Sequence, residues 1–272
     1  DTGSTDNTKE IIKTFFDKDH ANIPGELLEH EWKNFGHNRT LAVTASRGKA
    51  DYCLLMDADF LFCVKDPNFR AKMGEKDGYL ISYEGNLGFS QILCIRSSLN
   101  WKYIGSTHEY IHSDESKGTK YFEGFTFDHI GDGGCKSDKF ERDIFLLTNN
   151  ELKANLKDIR AHFYIAQSHK DLGKWKESKH WYEERAKLGG WTEEVYYSLY
   201  QAGVSTRNLE APFYEYLPIL LKAHFTQPKR LEALYEIVKD CRIARKYELG
   251  FRLGHMGINV TCPSNEHLFV NK

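Results

Sequence analysis

Asp1-Thr2-Gly3-Ser4-Thr5-Asp6-Asn7-Thr8 opens the chain, and Leu54-Leu55-Met56-Asp57-Ala58-Asp59 closes an apolar run further on. The first stretch has the make-up of a loop leaving a strand. Gly3 is free to take positive φ, and Ser4, Thr5 and Asp6 are able to cap a following helix. The second stretch sets two carboxylates one residue apart where Tyr52-Cys53-Leu54-Leu55-Met56 runs out. Alternate residues of a continuing strand share one face, so Asp57 and Asp59 are expected to converge on one cation. Oxygen ligands of this kind suit Mg²⁺ or Mn²⁺, which commonly bridge protein carboxylates to substrate phosphates. Together the motifs imply a metal-dependent site for a nucleotide diphosphate.

In this order and spacing the two motifs resemble the GT-A glycosyltransferases of family 2, which carry a D-x-G-S-x-D-x-T loop followed by a D-x-D triplet. The resemblance implies that Asp1, with Gly3, Ser4 and Asp6 of its loop, contacts the nucleoside. It further implies that Asp57 and Asp59 meet the ribose and the metal-bound diphosphate. It also leads us to expect a strand ahead of Asp1, and hence a longer natural protein.

Working outward, short apolar runs alternate with helical stretches up to about residue 150. Thr8 to Asp19 has Ile11, Ile12, Phe15 and Phe16 at helical spacing. Leu28 to Trp32 predicts a strand, and Asn38 to Gly48 a helix opened by an Asn cap. Tyr52–Met56, Gly78–Tyr83 and Gln91–Arg96 predict further strands. Strand–helix alternation implies an α/β layer, which binds ligands at the carboxyl ends of its strands. Both acidic motifs fall at such ends. With the resemblance, residues 1–150 are expected to form a GT-A (Rossmann-like) nucleotide-sugar-binding domain.

A third region able to carry chemistry is Trp101-Lys102-Tyr103-Ile104-Gly105-Ser106-Thr107-His108-Glu109-Tyr110-Ile111. An inverting sugar transfer needs a base for the acceptor, commonly a carboxylate. Glu109, flanked by aromatic and apolar side chains that would desolvate it, is the candidate base, with His108 orienting it or contacting phosphate. Relatives carry Gly-x-x-His-Glu at this point. Further on, Phe125-Thr126-Phe127-Asp128-His129 predicts a strand before the Gly-rich Gly131–Gly134 turn. His129 is the candidate third metal ligand by family resemblance, and Asp128 a second candidate base. Arg39 lies where relatives carry a basic residue ahead of the triplet, placed to pair with a diphosphate or the base edge. Lys136, Lys139 and Arg142 are candidate partners for the leaving nucleotide.

From about Asp158 the pattern is all helical, and residues 151–272 are expected to form tetratricopeptide-like repeats. Helix A of the first repeat carries His162, Ile165, Ala166 and His169. Leu172-Gly173-Lys174-Trp175 forms its turn, and Ser178 and Tyr182 take the small and aromatic positions of helix B. A second copy begins 72 residues later with Leu234, Ile237, Val238 and Cys241, followed by Tyr247 and Gly250. That interval is two units of about 36, near the 34 of this repeat class. The middle unit, Glu193 to Thr226, is degenerate, with Pro212 and Pro218 expected to break its second half. Trp191, between units, is expected to be core.

The 272 residues carry 40% hydrophobic and 14% aromatic side chains, enough for a real core, and a net charge of −2 argues against an electrostatic nucleic-acid binder. No apolar stretch has membrane-spanning length. The six cysteines lack metal-site spacing and predict free thiols in a reducing, cytoplasmic setting. Two Asn-x-Thr triplets, at Asn38 and Asn259, are chance sequon matches. The expected activity is transfer of a hexose, on family frequency from a UDP-sugar, to an acceptor hydroxyl or thiol with inversion, using Mn²⁺ or Mg²⁺. The helical repeats suit a peptide or protein acceptor or a dimer contact. Two other readings stay open: a tetratricopeptide scaffold carrying an inactive transferase domain, and an enzyme related to the sugar nucleotidyltransferases.

Overall fold

In the first half of the chain, β3 (Gly78–Tyr83) is the strand around which the others are ordered. The computed structural model describes residues 1–20, 22–131, 138–261 and 268. The chain divides into two compact units, residues 1–136 and 137–272, and its fold class is mixed α/β.

The first unit begins with α1 (Thr8–Thr14), a single wider turn over Phe15–Asp19, and α2 (Phe35–Ser46). Among the described residues eight strands follow: β1 (Tyr52–Leu54), β2 (Phe60–Val64), β3, β4 (Asn86–Arg96), β5 (Lys102–Ile104), β6 (Tyr110–His112), β7 (Thr119–Tyr121) and β8 (Phe125–His129). The main sheet has the order β1-β4-β3-β8-β2, with β7 also on β3, and β5 pairs with β6 separately. Most of its pairings are antiparallel. Only β3 with β7 and β3 with β8 run parallel among the described strands, so the sheet is mixed and mainly antiparallel. Its packed face is aromatic: Tyr79, Phe125 and Phe127 are fully buried, joined by Phe69 and Phe122 and backed by Phe60 and Phe62. Edge-to-face and tilted contacts at 4.9–5.9 Å tie these rings together. A smaller cluster of Val43, Ile95, Trp101 and Ile111 holds α2 against β4 and β6.

Three local expectations are corrected. Leu28 to Trp32 is not a strand: its ladder amounts to Asp1, whose amino group donates to Leu28 O at 2.6 Å and whose carbonyl accepts from His30 N–H at 3.0 Å. The helix expected from Asn38 starts at Phe35, and its cap is Asn34, whose side chain accepts the His37 N–H. Asn38 is instead a buried stitch, accepting from Lys33 N–H and donating to Glu31 O. Finally β1 stops at Leu54, so Asp57 and Asp59 sit in the turn to β2, closed by Phe60 N–H on Asp57 O at 3.1 Å.

Among its described residues the second unit is all helix: α3 (Lys139–Leu147) with a wider turn over Thr148–Leu152, then α4 (Ile159–Asp171), α5 (Trp175–Lys187), α6 (Thr192–Asn208), α7 (Phe213–Thr226), α8 (Glu232–Ile243) and α9 (Tyr247–Gly257). Asp158 caps α4 by accepting the Ala161 N–H, and Gly173 (φ +68°) makes the tight turn into α5. Ser178 and Tyr182 are fully buried, and Gly250 faces Cys241 so closely that a Cβ would meet Cys241 Cβ at 3.1 Å. Small residues at these positions let paired helices approach. Proline does not break the middle unit. Pro212 sits at the N-cap of α7, where no amide is needed, and the helix runs through Pro218. The acceptor that Pro218 leaves unbonded is the carbonyl of Tyr214, a residue 73% exposed, where water can serve it. Trp191 is 52% exposed, not core, because it lies at the start of α6 between the two-glycine turn (Gly189, Gly190) and solvent.

Among the described residues Cys94 and Cys241 are buried free thiols, while Cys53 and Cys63 are partly exposed. No described helix is long and apolar enough to cross a membrane.

Candidate active site

The site is built on the N-terminal half of α2. Phe35 N–H donates to Ser106 O at 3.0 Å, and Thr40 Oγ1 accepts the Tyr103 N–H at 2.9 Å. Between them a Cβ on Gly36 would lie 2.0 Å from Gly105 O. Only glycine permits this approach, so helix and loop are locked together. The loop then turns through two left-handed residues, Gly105 (φ +102°) and His108 (φ +49°), before β6. Arg39, one turn along α2 from Phe35, is thereby aimed at Glu109.

Arg39 is the hub. Its Nη2 donates to Asp57 Oδ1 at 2.7 Å and Oδ2 at 2.9 Å, and its Nε donates to Glu109 Oε1 at 2.8 Å. The guanidinium also lies 5.7 Å from the Tyr103 ring centroid. The Arg39 and Asp57 side chains are 36% and 41% exposed, Glu109 only 12%. Burial opposes the Arg39 charge, but Asp57 and Glu109 outweigh it and hold its pKa above the ordinary value. Two tyrosines border the cluster. Burial, reinforced by the Asp57 charge, pushes Tyr83 up to about 12, and burial raises Tyr103 against the opposing pull of Arg39. Both stay protonated hydrogen-bond donors near neutrality. What the sequence reading of Glu109 lacked is the cation at its oxygen.

Asp59 faces elsewhere. Its Oδ2 lies 2.7 Å from His129 Nε2, its carbonyl accepts the Ile130 N–H at 3.1 Å, and the Phe60 ring lies 5.5 Å from the His129 ring. The β2–β8 register, Phe60 opposite His129, is what brings this pair together. Asp57 and Asp59 therefore do not share one face as strand neighbours: in a turn the alternation of side chains is lost, and each carboxylate takes its own partner. Among the described residues no group of three or more His, Cys, Asp or Glu side chains is gathered for a metal. Asp59 and His129 offer two donors side by side.

The opening loop is braced by its own carboxylates. Asp1 Oδ1 accepts the Gly3 and Ser4 N–H groups at 2.9 and 3.0 Å, with Gly3 at φ +116°, and Asp6 Oδ1 accepts Thr8 N–H and Oγ–H. Asp1, Gly3, Ser4 and Asp6 thus hold one pre-formed loop. Among the described residues no hydrogen bond or ion pair joins that loop to the Arg39 cluster. Asp128 is partly buried in β8 opposite Leu61. Lys139 and Arg142 lie on α3 in the second unit. Lys136 and the Gly133-Gly134 turn fall outside the described residues. Sequence reasoning missed Gly36, Tyr83 and Tyr103. A glycine in the first turn of a capped helix was the available signal for Gly36, since its usual reason is close packing.

The family model for glycosyl transferase family 2 matches residues 1–65, which supports a domain of that family at the start of the chain. No curated protein matches. Among solved structures, the chain is similar to YrrB, described as a TPR protein with an unusual peptide-binding site: 16% identity, 44% of this chain against 59% of that one, TM-score 0.37. It is also similar to a structure titled MamA MSR-1 C2, with 14% identity over 48% of this chain and 73% of that one, TM-score 0.38. Likenesses this distant say nothing of what this chain binds.

Proposed function

We propose that the first unit is a GT-A glycosyltransferase domain of family 2 that transfers a hexose from a nucleotide-sugar, with UDP as the leaving group, to an acceptor hydroxyl or thiol with inversion. The observation that carries this reading is the meeting of Arg39, Asp57 and Glu109 beside the Asp59–His129 pair, within a chain whose first 65 residues match the family. Glu109 takes the acceptor's proton as the acceptor oxygen or sulfur bonds to the anomeric carbon. The bond from that carbon to the diphosphate oxygen breaks, and the nucleotide diphosphate leaves with the electron pair. Arg39 faces the charge that develops on the leaving group. Asp1, Gly3, Ser4 and Asp6 hold the loop proposed to meet the nucleoside, and His108 is the proposed neighbour of the phosphates.

A carboxylate and an imidazole at 2.7 Å fit a divalent cation such as Mn²⁺ or Mg²⁺, whose remaining ligands would come from the substrate and water. Asp59 and His129 would hold it, with Asp57 adjoining, and when bound it would neutralise the leaving diphosphate. The helical hairpins of the second unit are proposed to hold a peptide or protein acceptor.

Calorimetric titration with UDP-glucose, UDP-galactose, UDP-GlcNAc and GDP-mannose, each with Mn²⁺ and with chelator, tests this. Binding of one donor that is lost in Asp57→Asn supports the transferase. A folded protein that binds none would sink it and favour a helical-repeat scaffold with an inactive transferase domain.

A further inference from the structure

Glu109 Oε1 is engaged by the Arg39 Nε–H at 2.8 Å, so part of the carboxylate that could take an acceptor's proton is already committed to a cation. The same guanidinium also spans both oxygens of Asp57. We propose that Arg39 is a shared, movable cation: without donor it occupies Glu109 and Asp57, and an arriving nucleotide diphosphate draws it away, releasing Glu109 for the acceptor. Arg39 is then a positioning residue that makes deprotonation of the acceptor wait for the donor. The inference rests on the glycosyltransferase reading of this site.

Four features support the exchange. The planar fork of Arg39, now divided between two carboxylates, matches phosphate oxygens equally well, and a diphosphate offers more charge than one carboxylate. An incoming anion can reach Arg39 and Asp57, at 36% and 41% exposure, whereas Glu109, at 12%, is approached last. Exposed ion pairs are worth little to stability, so breaking the Arg39–Asp57 contact is cheap. And the helix carrying Arg39 is pinned: Gly36 sits against Gly105 O, and Thr40 holds Tyr103 N–H. The change is therefore confined to one side chain moving beside the Tyr103 ring.

If Glu109 and the diphosphate compete for Arg39, each weakens the other's hold by the same factor. The test is a double-mutant cycle on the full chain, titrating UDP and GDP in Mn²⁺ buffer against wild type, Glu109→Gln, Arg39→Gln and the double variant. Glu109→Gln is expected to bind the diphosphate about tenfold tighter than wild type, the size of coupling usual for side chains in contact. In the Arg39→Gln background the same change should have no effect. Equal affinity of wild type and Glu109→Gln overturns the proposal. So does a tightening that persists without Arg39, which would be plain charge repulsion. If no variant binds either nucleotide while all keep native far-ultraviolet spectra, the glycosyltransferase reading falls and takes this inference with it. A second measurement does not depend on variants folding. Carbodiimide labelling of Glu109 in wild type, mapped by peptide mass spectrometry, should rise several-fold on adding UDP, and an unchanged or lower rate overturns the release.

Discussion

Arg39 and Arg230 each stand between two carboxylates, in surroundings that differ sharply in exposure. Arg39 joins Asp57 and Glu109 at the edge of the first unit, with its own side chain 36% exposed. Arg230 joins Glu193 and Glu232 inside the second, at 2% exposure with partners at 7% and 12%. Arg230 also lies 4.6 Å from the Tyr196 ring centroid and donates to Leu268 O at 3.1 Å, while Tyr196 O–H and Gln227 satisfy the two glutamates. Every group of the buried set has a partner, so it acts as a fastener. The exposed set has partners that a ligand could replace, and it is the set proposed as the site. An arginine between two carboxylates is suited to structure or to ligand exchange according to whether water and an anion can reach it.

The comparison breaks first, and with the largest effect, at Arg230. Arg230→Met removes the cation and strands two buried carboxylates, a loss expected to cost the helical unit about 3–5 kcal/mol. Urea unfolding followed by circular dichroism at 222 nm reads this, and a shift within error of wild type would show that the triad is not a fastener. Acid sharpens the point. Burial works against the Glu232 charge, but Arg230 overcomes it and keeps the carboxyl below its ordinary value of 4.5. A group lowered on folding contributes stability above its unfolded pKa and loses it as pH falls through the folded one. The urea midpoint of the helical signal should therefore hold from neutrality down to about pH 4.5 and fall below it, and a midpoint that rises on acidification would contradict this.

The next effect lies at the pin beneath the exposed set. Gly36→Ala places a methyl 2.0 Å from a backbone oxygen that no rotamer can clear, so α2 or the Gly105 turn has to shift. An overpacked contact of this kind costs about 1–3 kcal/mol. Because the shift carries Arg39 away from Glu109, nucleotide binding should fall together with stability. Retained affinity at reduced stability would show that the site tolerates displacement of its helix.

Local signals in the sequence carried much of this. The 72-residue interval and the small residues Ser178 and Gly250 placed helices α4, α5, α8 and α9, because helix pairing depends on side chains a few positions apart. Gly78–Tyr83 and Gln91–Arg96 announced β3 and most of β4 by β-branched and aromatic content. The partners of those strands were not legible, since antiparallel or parallel pairing is settled by contacts far apart in the chain. The site shows the same division. Asp57, Asp59, Glu109, His129 and Arg39 were all visible as chemistry-bearing residues, but their sorting into Arg39 with Asp57 and Glu109, and Asp59 with His129, was not. It depends on β1 ending at Leu54 and on β2, a strand the apolar pattern did not separate from the motif before it.

The smallest expected change in stability is the most informative about function. Arg39→Gln removes the hub of the exposed set, but Asp57 stays in contact with water and the glutamine amide can still donate to the more shielded Glu109, so unfolding should move by about 1 kcal/mol, less than in Arg230→Met. Affinity for a nucleotide diphosphate should nevertheless drop by about 10-fold or more, because a charge-assisted fork on phosphate is lost. Urea unfolding and UDP titration on one preparation give both numbers. If stability fell by as much as in Arg230→Met, the two arginines would be fasteners alike, and the exposure that separates them would not decide their roles. If both quantities stayed at wild-type values, Arg39 would be neither, and the cluster around Asp57 would have to bind its ligand through other groups.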